Sequence, residues 1–402
     1  MTGVTISEQP NNRARILSID AFRGITFFLM ILVNELHGIA NISPWLKHMP
    51  ADANAMSFPD VIFPAFLFIV GMSIPFGLQT RIKRGDTKIQ IVLHVFMRAF
   101  ALIAMGLFMV NAEAGFDESQ MPISIAIWSL ISYLAFSLLW GVYRFENAIW
   151  NHLGRLTGIV LLLVLAGIYR GNEETGWMSV HWWGILGLIG WAYLVASLLF
   201  QSLGRRIVVL GVAIIVCTIY YALCHSDLSK LNSSVTWLLS QDAHAAHTTI
   251  VLAGLICSLI FFDTTTAQTT QMRFIKAMGF TLALAGAGAL LHLYFPISKI
   301  YATPSWCFYS SAICTFSFSI LYFLIDLRRL QSWTSYFEPA AVNPLVCYLI
   351  PFVIDAIYRI VGWQSPLHWF TGYAGILVCV LYSLFILQIV AALNRINFKL
   401  RF

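Results

Sequence analysis

The side chains best suited to proton chemistry are crowded into one short stretch between the first two apolar runs. Asn34 and His37 are three residues apart, which places them on one face of a helix, and Glu35 lies beside them. His48 and Asp60 follow in the next segment. A single loop histidine is usually just solvated, but this concentration of amide, imidazole and carboxyl groups favours a site. Histidine exchanges a proton near neutral pH, so acid–base chemistry is expected.

A second set of candidates is cationic. Arg23 lies three residues after Asp20 near the start of the first apolar run, and Arg98 lies a turn or two inside the third. Arg81 and Arg84 lie between the second and third apolar runs. An i,i+3 ion pair and an arginine that extends to the membrane interface are the structural interpretations. The functional alternative is a site for an anion such as a phosphate group.

Two polar residues later in the chain are further candidates, and the cysteines are not. Lys299 lies in P-I-S-K-I-Y-A-T-P-S, and Asn343 lies in V-N-P-L-V. The seven cysteines are odd in number and form no CxxC or Cys/His spacing of a metal site. We therefore expect them to pack as small polarizable side chains, and we expect no metal.

The elements that must position these residues are membrane-spanning helices. Of 402 residues, 59% are apolar and only 10% are charged, against about 25% charged in an average soluble domain. A crossing helix needs about 20 mainly apolar residues. The sequence predicts an all-α polytopic transmembrane helix bundle of about twelve helices, in a single domain over residues 1–402. The predicted helices start near Ile16, Pro59, Ile89, Met121, Leu153, Trp182, Arg206, Thr248, Phe274, Ser305, Ala340 and Trp369. The eighth, Thr248–Phe262, is the weakest of them, because it is short and lies among serine and threonine residues.

The basic residues predict the orientation of this bundle. If the N-terminus is cytoplasmic, all but five of the 24 basic residues fall in cytoplasmic loops or helix ends, as the positive-inside rule requires. Both termini are then cytoplasmic, with residues 1–15 and 394–402 outside the membrane. This asymmetry accounts for the net charge of +6, so no nucleic-acid partner is expected. The five exceptions are Lys47, Arg170, Lys230, Lys299 and Arg359.

Several motifs together resemble a known family of membrane enzymes. L-S-I-D-A-F-R-G-I, a helix ending in V-N, a loop histidine and D-V-I-F-P-A-F-L-F-I-V-G-M-S-I-P are similar to the heparan-α-glucosaminide N-acetyltransferase family and its bacterial relatives, within the transmembrane acyltransferase superfamily. P-I-S-K-I-Y-A-T-P-S and V-N-P-L resemble later landmarks of that family, and W-G-I-L-G-L-I-G-W-A-Y-L resembles its bacterial branch. The likeness is dense over residues 16–112 and patchy over 290–350.

The resemblance implies acetyl transfer across a membrane. Acetyl-CoA binds from the cytoplasm, and the acetyl group passes to the amine of glucosamine, or of a glucosamine-terminated oligosaccharide, on the periplasmic side. His48 matches the catalytic histidine of the family and Asn34 its catalytic asparagine. Arg98 matches an arginine close to the coenzyme, and the other cations expected to hold the coenzyme phosphates are Arg23, Arg81 and Arg84. A role in substrate binding or support is expected for Asp60, Glu35, Lys299 and Asn343.

The chain departs from the family pattern in two places. His48 and Asp60 are twelve residues apart where the family usually has ten, and the W-N-G that commonly follows the histidine is absent. His37 is therefore kept as the alternative catalytic histidine. The family core is usually drawn with ten helices, so the extra pair is expected to be residues 182–223.

Several functions fit this reading. The catalytic histidine could act as a general base or could carry the acetyl group itself. A transporter for a sugar or a cell-wall fragment is the alternative from another class, and an O-acetyltransferase of an envelope glycan is the alternative within acyl transfer. A structural or assembly role is disfavoured by the polar stretch around His37 and His48. The expected location is the lipid bilayer of a bacterial inner membrane, and the sequence leaves a homodimer open.

Overall fold

Thirteen α-helices account for most of the chain that the computed structural model describes, which is residues 16–143, 148–172, 174, 176–226, 240–265 and 268–400. Within these ranges no strand forms beyond two isolated bridges, between Phe116 and Gly171 and between Gly141 and Leu400. The predicted cytoplasmic segment 1–15 lies outside the described residues. The helices are α1 Leu17–Leu36, α2 Pro59–Lys83, α3 Lys88–Glu113, α4 Ile125–Trp140, α5 Ala148–Ile168, α6 Gly184–Leu203, α7 Ile207–Cys224, α8 Asp242–Phe262, α9 Thr270–His292, α10 Pro304–Tyr322, α11 Glu338–Val342, α12 Pro344–Val361 and α13 Gly372–Arg395.

Eleven of these described helices are long and apolar enough to cross a membrane, and α4 is a shorter apolar helix of 16 residues. The prediction of an all-α polytopic bundle of about twelve helices is confirmed. Local signals fix several helix starts: Pro59 opens α2, and Thr87 and Gln90 form a capping box before α3. Asn343 interrupts the helix before Pro344, so α12 begins four residues after the predicted start at Ala340. The single domain over 1–402 stays a prediction.

The helix predicted to be weakest is the most buried of the candidate spans. The sequence predicted a short eighth span, Thr248–Phe262, because serine and threonine surround it. The structure instead has the 21-residue α8, and its two threonine hydroxyls bond within the helix: Thr248 donates to the carbonyl oxygen of His244, and Thr249 donates to that of Ala245. Gly71 of α2 and Gly254 of α8 let the two backbones touch, since a Cβ on either would collide with main-chain atoms of the other helix.

Residues 182–223, predicted to be an addition to the core, form α6, which is largely buried, and α7, which is largely exposed. Helix α6 packs on α3 and α8, and α7 packs on α8. The contact between α3 and α6 depends on glycines. A Cβ at Gly106 would lie 2.5 Å from the carbonyl oxygen of Trp183, and one at Gly190 would lie 2.9 Å from that of Ala99. Removing α6 would therefore expose the face of α3 that it covers.

The bundle has two ends, which are named here by their residues. The His48 end carries the α1–α2 loop, and the Arg98 end carries the α2–α3 loop. The first and last described segments both lie at the Arg98 end, because Gly24 of α1 passes Phe337 and Asn343 binds the main chain of Phe398. An even number of crossings follows, as predicted. Which side of the membrane each end faces stays a prediction.

Candidate functional site

The α1–α2 loop that carries His48 is fixed to a segment far along the chain. Asn54 Oδ1 accepts hydrogen bonds from His292 Nε2 at 2.9 Å and from the Ile297 amide at 2.8 Å. The Ser298 hydroxyl donates to the carbonyl oxygen of Ala51 at 2.9 Å. Loops exposed to water tend to be mobile, but these cross-links tie the α1–α2 loop to the α9–α10 loop. The position of His48 is thus set by both.

Asp60 is the carboxylate partner of His48. The Nδ1 atom of His48 lies 2.8 Å from Asp60 Oδ1. The other oxygen, Oδ2, accepts from the Ser57 amide at 3.0 Å, the Ser57 hydroxyl at 2.8 Å and the Met49 amide at 3.2 Å. Asp60 is 1% exposed, and an ionised carboxylate is purely an acceptor, which matches the donors around it. The twelve-residue spacing therefore does bring His48 and Asp60 into contact.

The start of α2 is held in place through a proline. Pro64 has no amide hydrogen to donate to the carbonyl oxygen of Asp60 four residues earlier. The indole Nε1 of Trp306 donates to that oxygen at 3.1 Å, so the freed carbonyl is satisfied by α10. Trp306 and Asp60 are both fully buried. This bond fixes the position of Asp60 along the bundle axis, and the bond from His48 to Asp60 places His48 at the same level.

Lys299 completes the group from the α9–α10 loop. Its Nζ lies 3.1 Å from Nδ1 and 3.4 Å from Nε2 of His48. Nearly equal distances to both ring nitrogens put the ammonium group beside the ring and not on the axis of one nitrogen lone pair. Burial lowers the pKa of Lys299 below its usual range, and the charge of Asp60 partly offsets this effect. A cation, an imidazole and a carboxylate thus meet at the His48 end.

This arrangement can move a proton. With Nδ1 donating to Asp60, the tautomer inferred for His48 leaves Nε2 as the basic nitrogen. The carboxylate would stabilise the imidazolium that forms when Nε2 takes up a proton, as in a nucleophile-activating triad. The half-exposed His48 side chain, at 31%, leaves room for a second molecule to approach. His48 is therefore equipped to act as a general base.

The other candidates in this stretch are placed differently. Asn34 is exposed near the end of α1, and among the described residues it forms no hydrogen bond with His48. Glu35 is half-buried, and His37 is exposed at the C-terminal cap of α1. Of the two histidines, the described structure gives a carboxylate partner to His48 alone, at 2.8 Å. The geometry favours His48 over His37, and the catalytic role of Asn34 stays a prediction.

Two of the predicted cations, Arg81 and Arg98, line one cavity at the Arg98 end. A cavity of about 40 Å³ lies between α2, α3 and α6. Arg98 lines it, and its guanidinium carbon lies 4.9 Å from the ring centroid of Tyr193. Arg81 and His94 line it as well, together with Val70, Ser73, Ile74, Gly77 and Leu78. Three nitrogen-bearing side chains on one small cavity make it suited to an anion.

Arg23 reaches this cavity through a serine. Its guanidinium donates to the Ser73 hydroxyl at 2.9 Å and to Asp20 at 3.0 Å, so the predicted i,i+3 pair forms as well. Arg81 pairs with Asp86 at 2.8 Å. Arg84 caps the C-terminus of α2, is exposed and does not line the cavity. The structure thus brings Arg23, Arg81 and Arg98 to one place and leaves Arg84 outside it.

Asn343 supports the C-terminal segment and not the His48 group. Its side-chain nitrogen donates to the carbonyl oxygen of Phe398 at 2.8 Å, and its oxygen accepts from the Leu400 amide at 3.4 Å. It is 1% exposed and lies at the Arg98 end. Of the two roles predicted for Asn343, the geometry favours support.

Sequence reasoning did not single out four residues that build these sites. Ser57 and Trp306 hold Asp60, and His94 and Tyr193 line the cavity. Ser57 precedes Asp60 by three residues at a helix start, which is the spacing of a capping interaction and could have drawn attention. His94 lies one turn before Arg98 on α3, so helical periodicity could have paired them. Nothing in the local sequence assigns a role to Trp306, or to Tyr193 within the W-G-I-L-G-L-I-G-W-A-Y-L stretch.

Comparison with known proteins agrees with the sequence resemblance over part of the chain. Human heparan-alpha-glucosaminide N-acetyltransferase is 37% identical over 114 residues, which cover 27% of this chain and 16% of the human protein. The mouse protein of the same name is 33% identical over 124 residues, covering 28% and 18%. The matched stretch is thus under a fifth of either relative, and the predicted relationship is confirmed over that stretch.

A family match extends further along the chain. Residues 15–245 match the family described as a domain of unknown function, DUF5009. The match covers His48, Asp60 and the cavity, and it includes helices α6 and α7. More than half of the chain is matched, so this protein belongs to the DUF5009 family and is related in part to heparan-alpha-glucosaminide N-acetyltransferase.

Proposed function

We propose that the protein transfers an acetyl group from acetyl-CoA to the amine of glucosamine or of a glucosamine-terminated oligosaccharide, with His48 as general base. The observation that carries the proposal is the hydrogen bond between His48 and Asp60, at 2.8 Å, with Lys299 beside the ring. Proton relays of transporters also use histidine and carboxylate groups, so a measurement of acetyl transfer is needed to separate the two functions. The partial match to an N-acetyltransferase supports the same reaction class.

The donor is assigned to the Arg98 end. The phosphates of CoA carry several negative charges, and Arg81, His94 and Arg98 surround one cavity there. Thirteen residues of α2 separate Asp60 from Ser73 of the cavity lining, which is about 20 Å along a helix. The phosphate-free arm of the donor would have to extend along α2 to bring its thioester near His48. The donor is then held at one end of the bundle and reacts at the other.

At the His48 end the chemistry is a nucleophilic displacement on a thioester. The amine nitrogen of the acceptor attacks the acetyl carbonyl carbon, the C–S bond breaks, and CoA leaves as a thiol after protonation. His48 Nε2 takes the proton that the amine loses and can return it to the leaving sulfur. Asp60 stabilises the imidazolium, and the Lys299 ammonium lies where it can neutralise charge that develops on the carbonyl oxygen. An acetyl-imidazole intermediate on His48 is the alternative route.

This function implies an orientation. Acetyl-CoA is made in the cytoplasm, so the Arg98 end and both termini face the cytoplasm, and the His48 end faces the periplasm. The protein is then a multi-pass protein of the bacterial inner membrane. The excess of basic residues at the Arg98 end supports this assignment.

The test measures transfer of labelled acetyl from acetyl-CoA in membranes that contain the protein. Two acceptors are compared: glucosamine, which has a free amine, and N-acetylglucosamine, which has hydroxyl groups but no free amine. The variants are His48→Gln, His37→Gln and Asn34→Ala, with His181→Gln as the matched control. His181 is an exposed histidine outside the His48 group, hydrogen-bonded to Ser179.

We expect label on glucosamine alone, loss of transfer in His48→Gln, and transfer unchanged in His181→Gln. Equal labelling of both sugars would indicate O-acetylation. Sugar uptake into sealed vesicles without any labelling would indicate a transporter. Transfer that survives His48→Gln but not His37→Gln would move the general base to the alternative histidine.

A further inference from the structure

Arg98 differs from Arg23 and Arg81, because no acceptor among the described residues takes a hydrogen bond from its guanidinium group. Arg81 is paired with Asp86 at 2.8 Å, and Arg23 donates to Asp20 and Ser73. Arg98 has no carboxylate partner among the described residues, and its buried Nε has no hydrogen-bond acceptor. A buried polar nitrogen without an acceptor in the protein calls for an explanation, and a role in binding an anion is one. The ring of Tyr193 is the group that Arg98 does contact.

Tyr193 reaches Arg98 because α6 packs unusually close to α3. Gly190 lies one turn before Tyr193, and a Cβ there would lie 2.9 Å from the carbonyl oxygen of Ala99, the residue next to Arg98. Tyr193 itself is 6% exposed and lines the same cavity. The close approach of the two helices thus sets the Tyr193 ring under the guanidinium group at 4.9 Å.

We propose that Tyr193 is a positioning residue that holds Arg98 ready for a phosphate group of the CoA donor. A guanidinium group stacked on an aromatic face is held by the ring quadrupole, and its N–H donors stay free at the edge of the plane. Binding then costs less ordering of the arginine side chain. This inference rests on the proposed function, since it assigns the phosphate to the donor. A lipid headgroup would offer the same chemistry.

The inference also gives α6 a role in binding the donor. Residues 182–223 were expected to be an addition to the catalytic core, yet Tyr193 of α6 forms one wall of the cavity. A donor site built from α2, α3 and α6 cannot exist without α6.

The test measures binding of CoA, which is not turned over, to the purified full-length protein in nanodiscs of zwitterionic lipid. The variants are Tyr193→Leu, Tyr193→Phe, Arg98→Met and the double variant Tyr193→Leu/Arg98→Met. Phe200→Leu is the matched control, because it removes another buried ring from α6 outside the cavity lining. We expect Tyr193→Leu to weaken binding by about 2- to 30-fold, the range of one cation–π contact. Tyr193→Phe and Phe200→Leu should bind within about twofold of the native chain.

The double variant separates positioning from packing. If Tyr193 acts through Arg98, the double variant binds no more weakly than Arg98→Met, because the two losses are not additive. Additive losses, or a loss in Tyr193→Phe equal to that in Tyr193→Leu, overturn the inference. If the native chain does not bind CoA at all, the proposed donor site fails, and the inference fails with it.

Anionic lipid distinguishes the two phosphate sources. We expect CoA affinity to be the same when phosphatidylglycerol replaces part of the zwitterionic lipid. A drop in affinity that is seen in the native chain and absent from Arg98→Met would mean that Arg98 holds a lipid headgroup. That result would overturn the assignment to the donor.

Discussion

Replacing Asp60 by asparagine should reverse the tautomer of His48 while leaving the loop folded. Oδ2 of Asp60 accepts three hydrogen bonds, from the Ser57 amide, the Ser57 hydroxyl and the Met49 amide, whereas Oδ1 accepts one from His48. Asparagine has a single acceptor oxygen, so the three donors should retain it. The amide nitrogen then faces His48 and donates to Nδ1. The basic nitrogen moves from Nε2 to Nδ1, which is the nitrogen turned away from the acceptor.

The effect of Asp60→Asn on acetyl transfer should be large, and its effect on stability should be moderate. The corresponding substitution in a serine protease triad lowers kcat by about 10⁴-fold through the wrong tautomer. We expect a loss of about 10³- to 10⁴-fold in acetyl transfer by Asp60→Asn. The three hydrogen bonds that remain change from charge-assisted to neutral, and each change costs roughly 1 kcal/mol. The free energy of unfolding should therefore fall by about 3 kcal/mol.

The assay is acetyl transfer to glucosamine by purified protein, with thermal unfolding measured on the same samples. Ser57→Ala removes one of the donors to Oδ2 and leaves the bond to His48, so it should cost stability but less than about tenfold in transfer. Asp117→Asn is a matched control, because Asp117 also accepts from the amide and hydroxyl of a nearby serine, Ser119. Asp60→Asn protein that is folded and transfers within tenfold of the native chain would refute the tautomer argument.

Two further predictions follow from the described contacts. Burial lowers the pKa of Lys299, and the charge of Asp60 raises it. Lys299 should therefore react with an amine-directed reagent at a lower pH than a free lysine, and Asp60→Asn should lower the pH of half-reaction further. Mass spectrometry of the labelled peptide measures this pH, and a rise in Asp60→Asn would contradict the stated causes. Asn111 is fully buried, donates to the carbonyl oxygens of Leu107 and Ser179, and accepts from the Ser179 amide. Asn111→Ala should therefore lower the free energy of unfolding by about 1–3 kcal/mol without changing CoA affinity, which a thermal scan and a binding titration can check together.

Composition and hydropathy were sufficient for the architecture, because a membrane demands long apolar helices and permits few alternatives. They were misleading for α8. Its threonines and histidines lower the apolar signal, yet the threonine hydroxyls bond within the helix and the helix is the most buried of the candidate spans. Burial of that kind depends on which neighbours surround a helix, and hydropathy along the chain does not record neighbours.

The candidate site was predictable where its parts are close in sequence. His48, Asp60 and the arginines came from motifs within the first hundred residues. The contact of Lys299 with His48 and the bond from Trp306 to Asp60 join residues about 250 positions apart, and nothing in the local pattern pairs them. Asn343 shows the converse. It lies in a segment that resembles the family, yet the structure ties it to the C-terminal main chain.

The tie between the α1–α2 loop and the α9–α10 loop bears on the order of assembly. During synthesis, His48 and Asp60 enter the membrane with the first two helices and can meet at once, since they are twelve residues apart. Lys299, Trp306 and the Ile297 amide that binds Asn54 all follow α9 in the chain, so they are made after the nine helices that the structure describes before them. In an unfinished chain, His48 would therefore have its carboxylate partner, but the α1–α2 loop would lack its bonds to the α9–α10 loop. Reactivity of this group would begin only when most of the protein is already in place.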